Sequence, residues 1–434
     1  MAGSNNRSLG LAASFRATFP ALCSRNYVYF ITGQSVSQIG TWMQTAGQNW
    51  LVYVTTQSPL KLGLVSAAQF LPVMFLSLFA GVFVDRFPKR AIVVWTQVAA
   101  ALQAFALAAL VFTNQVQYWH VLLLALCSGL VRTVDNPARQ SLMIELVGKE
   151  ALVNAIGLNS TVFNVARIVG PAVAGIAYEK YGPGWCFLLN GLSFLPVIAG
   201  LLAMDIKARK RATVKKNVLR EVVEGLNYIG TKPLLISTVA LAAVVNIFAV
   251  NHSVLLTILA RDDFRMGAGG YGYMMSFMGA GSLVGALFTA VSGAKRGPRS
   301  GLLGSSSMII ASLLAGLGAF GLFRSLPLAM IILALTGVFN LTFSTNANST
   351  MQLNAADGYR GRVMSVYFLV WGGTTPIGSL FAGALASRFG ASWAYIVSGL
   401  VTAASACAVL AVQRRLARRL AHAATPAAGT ASDA

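Results

Sequence analysis

The sequence predicts an all-α integral membrane protein of twelve transmembrane helices, arranged as two six-helix pseudo-symmetric bundles with both termini cytoplasmic. Three observations carry that expectation. The 434 residues are 56% hydrophobic and only 10% charged, with mean hydropathy +0.67, a balance that would leave a soluble chain of this size covered in apolar surface. Apolar runs near the about 20 residues that a spanning helix needs recur between short Gly, Pro and charged punctuation. The basic residues fall in alternate connections.

Taken in order, the runs lie at roughly 27–53, 63–84, 91–113, 118–138, 155–177, 186–204, 234–258, 269–291, 301–323, 327–349, 363–385 and 392–412. With the N-terminus inside, the cytoplasmic connections hold 25 Lys and Arg against 6 outside, the excess expected on the inner face of a multi-pass protein. A missed or extra helix would scramble that alternation. The same distribution explains a net charge of +21 without nucleic acid, which would need the cations gathered on one surface.

The organisation that follows is a cytoplasmic tail over 1–26, a six-helix bundle over 27–204, a basic linker over 205–233, a second bundle over 234–412 and a disordered tail over 413–434. Arg7, Arg16 and Arg25 interrupt any signal-peptide core in the first segment. The linker carries Lys207, Arg209, Lys210, Arg211, Lys215, Lys216 and Arg220, which reads first as a topology anchor and second as a partner site. The bundles repeat one another: Gly170, Gly175, Gly182 and Trp185 recur 208 residues later as Gly378, Gly383, Gly390 and Trp393. Parallel repeats of this kind place a substrate site between the halves near the midplane.

On the first helix Gln34, Gln38, Thr41, Thr45 and Gln48 align on one face, with Ser37 and Gln44 widening the stripe. Lipid would not tolerate that face, so it lines either an aqueous cavity or a tight helix contact. The fifth helix offers Ser160, Asn164 and Arg167. A charge at mid-bilayer costs about 2.5–3.5 kcal/mol on insertion scales, so Arg167 either binds an anionic substrate group or serves as a hydrogen-bond hub to helix-end carbonyls. Asn246, Asn251 and His252, then Asn340 and Asn346, then Tyr367, Trp371 and Thr374 are the expected counterparts in the second half.

Four scattered cysteines suggest neither a disulfide framework nor a metal cluster and read as packing. No metal and no cofactor are expected, and no phosphate-cradling Gly-x-x-x-x-Gly-Lys-Ser/Thr loop occurs. His120, His252 and His422 fall in unrelated elements, so an enzyme is not expected. Asp135, beside Arg132, is the acid best placed to couple protons, with His120 and His252 as other titratable groups.

Between the second and third helices the chain reads Gly81, then Asp85, Arg86, Pro88, Lys89 and Arg90. This resembles the signature loop of the major facilitator superfamily, with Pro88 where the family usually has glycine. The resemblance implies a cytoplasmic gating loop in which Asp85 sits near Arg362 and Val363 at the start of the eleventh helix, where the helix dipole favours an anion. It also implies a pair between Lys89 and Asp135. The run Ala166-Arg167-Ile168-Val169-Gly170-Pro171 is similar to the Gly-Pro motif of the antiporter branches. The stretches from Asp135 to Gln140, Asn154 to Ser160, Phe187 to Asn190 and Arg360 to Ser365 resemble the enterobactin-exporter and macrolide-efflux type of carrier.

The likeness runs from about residue 25 to about 412. It implies a monomeric exporter of an amphipathic drug, siderophore or metabolite in the cytoplasmic membrane, exchanging substrate for protons by alternating access. An importer or facilitator of a nutrient or lysolipid, and more remotely a ligand-sensing receptor, share the fold.

Overall fold

The structure is a computed structural model and describes residues 18–205, 218–293 and 325–423. The helix expected at 301–323, most of the linker's basic run, and the two ends of the chain lie outside the described residues. After a 3-10 turn at Pro20–Cys23, the first half comprises α1 (Arg25–Thr56), α2 (Pro59–Arg86), α3 (Lys89–Phe112), α4 (Tyr118–Val147), α5 (Leu152–Tyr181) and α6 (Pro183–Ala203). A short α7 (Val218–Gly230) precedes α8 (Pro233–Asp263), α9 (Ala268–Gly293) and α10 (Leu326–Leu353). The final helical stretch, Arg360–Ala423, is broken by Gly390 into α11 (360–389) and α12 (391–423).

Helices therefore stand at eleven of the twelve expected positions among the described residues, eight of the helical stretches are long and apolar enough to cross a membrane, and those residues contain no strand. Prolines open α2, α6 and α8 at the first helical turn, where a missing N–H costs nothing. Three features differ from the sequence expectation. The linker holds a helix, α7, because Val222 and Ile229 find burial against the C-terminal bundle. α12 continues past 412 to Ala423. α8 is α-helical only in part, with π turns at Val245–Ala249 and Leu259–Asp263 around a restart at His252.

The sequence repeat is a packing repeat. A Cβ on Gly170 would lie 2.5 Å from the Trp42 side chain of α1, and one on Gly378 would lie 2.6 Å from the Ile247 carbonyl of α8. Likewise Gly175 meets Gly269 of α9 at 2.7 Å, and Gly383 meets the Pro59 carbonyl at 2.8 Å and Gly63 of α2 at 3.1 Å. α5 thus touches α1 and α9 as α11 touches α8 and α2, the relation of two copies about a common axis. Gly182 (φ 90°, ψ 170°) and Gly390 (φ 80°, ψ 168°) close the two copies in a conformation nearly confined to glycine.

The apolar cores show how the halves meet. One core joins both bundles, with Trp50, Leu62 and Ala174 packed among Leu255, Tyr271, Ile332 and Ala382. It lies at the end opposite the Arg86–Lys89 turn and the basic linker; we call these the outer end and the basic end. At the basic end the cores are separate. Tyr27, Val84, Leu142 and Leu201 belong to the first half, and Leu235, Phe343, Met351 and Val363 to the second, with Leu78 of α2 reaching across to pack against the second core. Among the described residues α4 makes no extensive contact with α10 or α11, whereas α2 runs along α11 and touches α7, so the lobes share a core outside and meet toward the basic end mainly along α2.

Candidate substrate pathway and its gates

The outer closure is built from ring stacking, backbone contact and a few polar links. Trp50 of α1 stacks on Tyr271 of α9 with centroids 5.9 Å apart and planes at 22°. Asn49 Nδ2 donates to the Ser253 carbonyl of α8 at 3.3 Å. Tyr53 donates to Asp262 in the outer π turn, and the Arg261 guanidinium lies 5.9 Å from the Tyr53 ring centroid. Ser276 of α9 donates to the Ile168 carbonyl of α5 at 2.6 Å.

Glu179, at the outer end of α5, accepts from the Gly269 N–H at 2.8 Å and so caps the first turn of α9 across the interface. The glycines there are a requirement of that contact: a Cβ on either Gly267 or Gly269 would run into the Glu179 carboxylate. None of Trp50, Tyr53, Glu179, Asp262 and Tyr271 stood out in the sequence. The acids were the available signal, since carboxylates at the outer ends of apolar runs are few.

The basic end departs from the contacts that the family resemblance implies. Asp85 is 76% exposed and pairs with Lys89 at 3.8 Å rather than with the start of α11. That start is held instead by α7, where Glu224 pairs with Arg362 at 3.1 Å and Tyr228 stacks on Tyr359 at 4.5 Å. Lys89 is buried and donates to the Val84 and Phe87 carbonyls, tightening its own turn, with Pro88 as the N-cap of α3. It does not reach Asp135. The physical reason is that α7 already holds the start of α11, while Asp135 is already satisfied.

Asp135 accepts from Thr96 Oγ1 at 2.6 Å, Gln97 Nε2 at 3.0 Å and Arg139 Nε at 2.5 Å. Arg90 caps α6, donating to the Leu201 and Leu202 carbonyls at 2.6 Å and 2.8 Å, and Arg86 is exposed. Gly81 has open space where a Cβ would stand.

The first-helix stripe divides. Gln44 accepts from Asn190 at 2.7 Å and donates to Gln103 at 2.9 Å, so it ties α1 to α6 and α3 inside the first bundle. Thr41 and Thr45 return their hydroxyls to the Ser37 and Thr41 carbonyls. Gln38 is half-buried, Gln48 is buried, and buried Gln34 keeps an unpartnered Oε1.

In the second half Asn246 is spent within its own bundle, donating to the Trp371 carbonyl at 2.5 Å and to the Thr374 and Thr375 hydroxyls. Asn340 is half-buried, and Tyr367 is buried with its ring 6.1 Å from Trp371. Ser160 is exposed and its carbonyl accepts from half-buried Asn164 at 2.8 Å. His120 completes a capping box at the start of α4. Among the described residues, half-buried Arg167 makes no ion pair and both ring nitrogens of buried His252 lack a partner.

Two pseudo-symmetric helical lobes that share a core at one end fit a transporter of the major facilitator superfamily. Within it, a family profile described as transmembrane secretion effector matches residues 17–428, and the chain belongs to that family. It is 23% identical over 400 residues to the staphyloferrin A transporter of Staphylococcus aureus, covering 90% of this chain and 97% of that one. It is 27% identical over 351 residues to the multidrug efflux pump Tap of Mycolicibacterium fortuitum, covering 79% and 84%. Macrolide efflux protein A of Streptococcus pyogenes is 22% identical over 400 residues, covering 88% and 95%.

Among solved structures, the nucleoside transporter NupG superposes with TM-score 0.69 at 11% identity, covering 90% of this chain and 98% of that one. An inward-facing, unoccupied bacterial homologue of the human lysosomal transporter Spinster superposes with TM-score 0.68 at 14% identity, covering 90% and 95%. These likenesses concern the fold. The family and fold are those of membrane transporters of small molecules.

Proposed function

We propose that this protein exports amphipathic small molecules from the cytoplasmic membrane by alternating access, in exchange for protons. The observation that carries the reading is the single shared core at the outer end against two separate cores at the basic end, the geometry of a carrier loaded from one side. The pathway between the lobes is lined by Gln34, Gln38, Thr41, Thr45 and Gln48 of α1, by Ser160, Asn164 and Arg167 of α5, and by Asn340, Tyr367 and Trp371 opposite. Asn246 braces α8 on α11 behind that surface. The efflux relatives support the outward direction.

Asp135 is the coupling acid in this reading: it lies between α3 and α4 toward the basic end, and Arg139 is the partner that a proton would release. Its three donors also favour a second reading, a facilitator in which the carboxylate only braces the first bundle. Accumulation of a catechol siderophore and of fluorescent amphipathic dyes of both charges, in cells with and without a protonophore, tests the choice. Export predicts lowered accumulation that is lost with the protonophore and in Asp135→Asn. Lowered accumulation that survives both would leave the facilitator, and unchanged accumulation of every compound would sink export.

A further inference from the structure

The last helix is longer than a span needs. α12 runs unbroken from residue 391 to 423, which at 1.5 Å per residue is about 50 Å, against about 30 Å for a hydrocarbon core and about 40–45 Å with both headgroup layers. No Lys, Arg, Asp or Glu occurs from Ala391 to Gln413. Trp393, near the outer start, is 60% exposed, as suits an amphipathic ring at a membrane boundary. Counted from there, about 20 residues cross the core, so the inner boundary falls close to Gln413.

Four arginines then follow at once: Arg414, Arg415, Arg418 and Arg419. The backbone there is still helical, so each residue advances about 100° around the axis. On that register the four arginines and His422 share an arc of about 140°, and Val412, Leu416, Ala417, Leu420 and Ala421 fall on the opposite side with Gln413. Arg415 is exposed. From Arg414 to Arg419 the helix rises about 8 Å, about the depth of one headgroup layer. No carboxylate occurs anywhere from Ala391 to Ala423. Fixing the orientation of a span asks only for a number of cations on one side; their gathering on one face at one depth asks for a partner.

We propose that this face of α12 binds the phosphate groups of anionic phospholipids in the inner leaflet. Charge complementarity selects the occupant, since the cytoplasmic leaflet carries a negative surface potential that attracts juxtamembrane arginines. A guanidinium also meets a phosphate with a two-pronged donor fork. Read from the sequence alone, this stretch belongs to a disordered tail; the continued helix is what brings the arginines to one side. The inference rests on taking the basic end as the inner face, and it holds for either direction of transport and for any cargo. It ties the last helix of the second lobe to the lipid layer at the end where the lobes have separate cores.

The test offers the purified, delipidated full-length protein equal amounts of phosphatidylglycerol and phosphatidylcholine, and native mass spectrometry counts the lipids retained. The wild type is expected to prefer phosphatidylglycerol about fivefold more strongly than a variant combining Arg414→Gln, Arg415→Gln, Arg418→Gln and Arg419→Gln, the size of one cation near an anionic surface. The other basic connections are present in both proteins, so the difference reads this face. Replacing the four arginines by lysine keeps part of the preference. Pairing Arg415→Leu with Leu416→Arg, and Arg419→Leu with Leu420→Arg, keeps every cation but splits the face, and should lower the preference about twofold or more.

Should the combined variant not purify as a single species, the split-face variant and Arg418→Gln with Arg419→Gln decide. A preference that survives neutralisation, or a split face that binds as the wild type does, would overturn the site. So would a wild type that shows no lipid preference and instead retains a short DNA duplex through these arginines, since the face would then belong to nucleic acid. The accumulation assay is read separately: absent export with the lipid preference intact sinks the export reading alone.

Discussion

At the outer end α1, α2 and α5 share one apolar core with α8, α9, α11 and α12, and Trp50 stacks on Tyr271 across the interface. At the basic end the core around Leu142 stays in its own lobe, and the core around Phe343 takes only Leu78 of α2 from the other among the described residues. The carboxylates at the two ends follow the same division: Glu179 caps the start of α9 across the interface, whereas Asp85 faces solvent and Glu224 of α7 holds the start of α11. The difference teaches how closure is made here. Glycine faces bring backbones together, and a few polar links, each small enough to break, decide which end is shut.

Four changes would break or sharpen that contrast. The largest effect is expected from Gly175→Leu, because a Cβ there stands 2.7 Å from the Gly269 backbone and no side chain can yield. Overpacking of this kind costs about 1–3 kcal/mol, and the outer end should part, with transport falling about tenfold or more. Labelling of Ala46→Cys by a membrane-impermeant maleimide added from outside would rise accordingly. The same substitution at Gly157, on the basic half of α5 where nothing stands within 4 Å, should leave labelling unchanged; equal effects at the two sites would refute the asymmetry.

Next comes Tyr53→Phe, which strips Asp262 of its donor across the closure and should favour outer opening by about 1–3 kcal/mol, read as faster labelling at the same cysteine. Glu179→Gln keeps an acceptor at the start of α9 but loses the charge that favours the helix N-terminus, worth about 0.3–1 kcal/mol; at most a few-fold change in labelling is expected. Smallest is Glu224→Gln. Its pair with Arg362 is one-third exposed on both sides, so screening leaves about 0.2–0.5 kcal/mol, and outer labelling should not move while a cysteine placed on α7 reports a looser helix.

Much of the architecture was legible because bilayer solvation acts on composition. Span length, the alternation of Lys and Arg, and the recurrence of Gly170, Gly175 and Gly182 as Gly378, Gly383 and Gly390 are one-dimensional signals of three-dimensional constraints. The candidate site was less so. Gln34, Gln44 and Gln48 share one sequence stripe, yet Gln44 turns to Asn190 and Gln103 inside the bundle, since a stripe this wide spans both a cavity face and a helix contact.

The implied pair of Asp85 with α11 requires the basic ends to meet, whereas that of Lys89 with Asp135, inside one lobe, is displaced by the partners each already has. A sequence encodes every state of a moving protein at once, and the structure holds one of them. The π turns of α8 leave no sequence mark, because residues such as Val245–Ala249 suit an α-helix equally well.

Among the described residues the outer connections are short. Gln57 and Ser58 join α1 to α2, residues 113–117 join α3 to α4, residues 264–267 join α8 to α9, and Gly182 and Gly390 alone join α5 to α6 and α11 to α12. Viewed from that side, the closed molecule offers a protease little chain to cut and an antibody little shape to learn. Recognition by anything on the outer side would have to wait for the moment of opening, so this surface has little to distinguish it except while it releases its cargo.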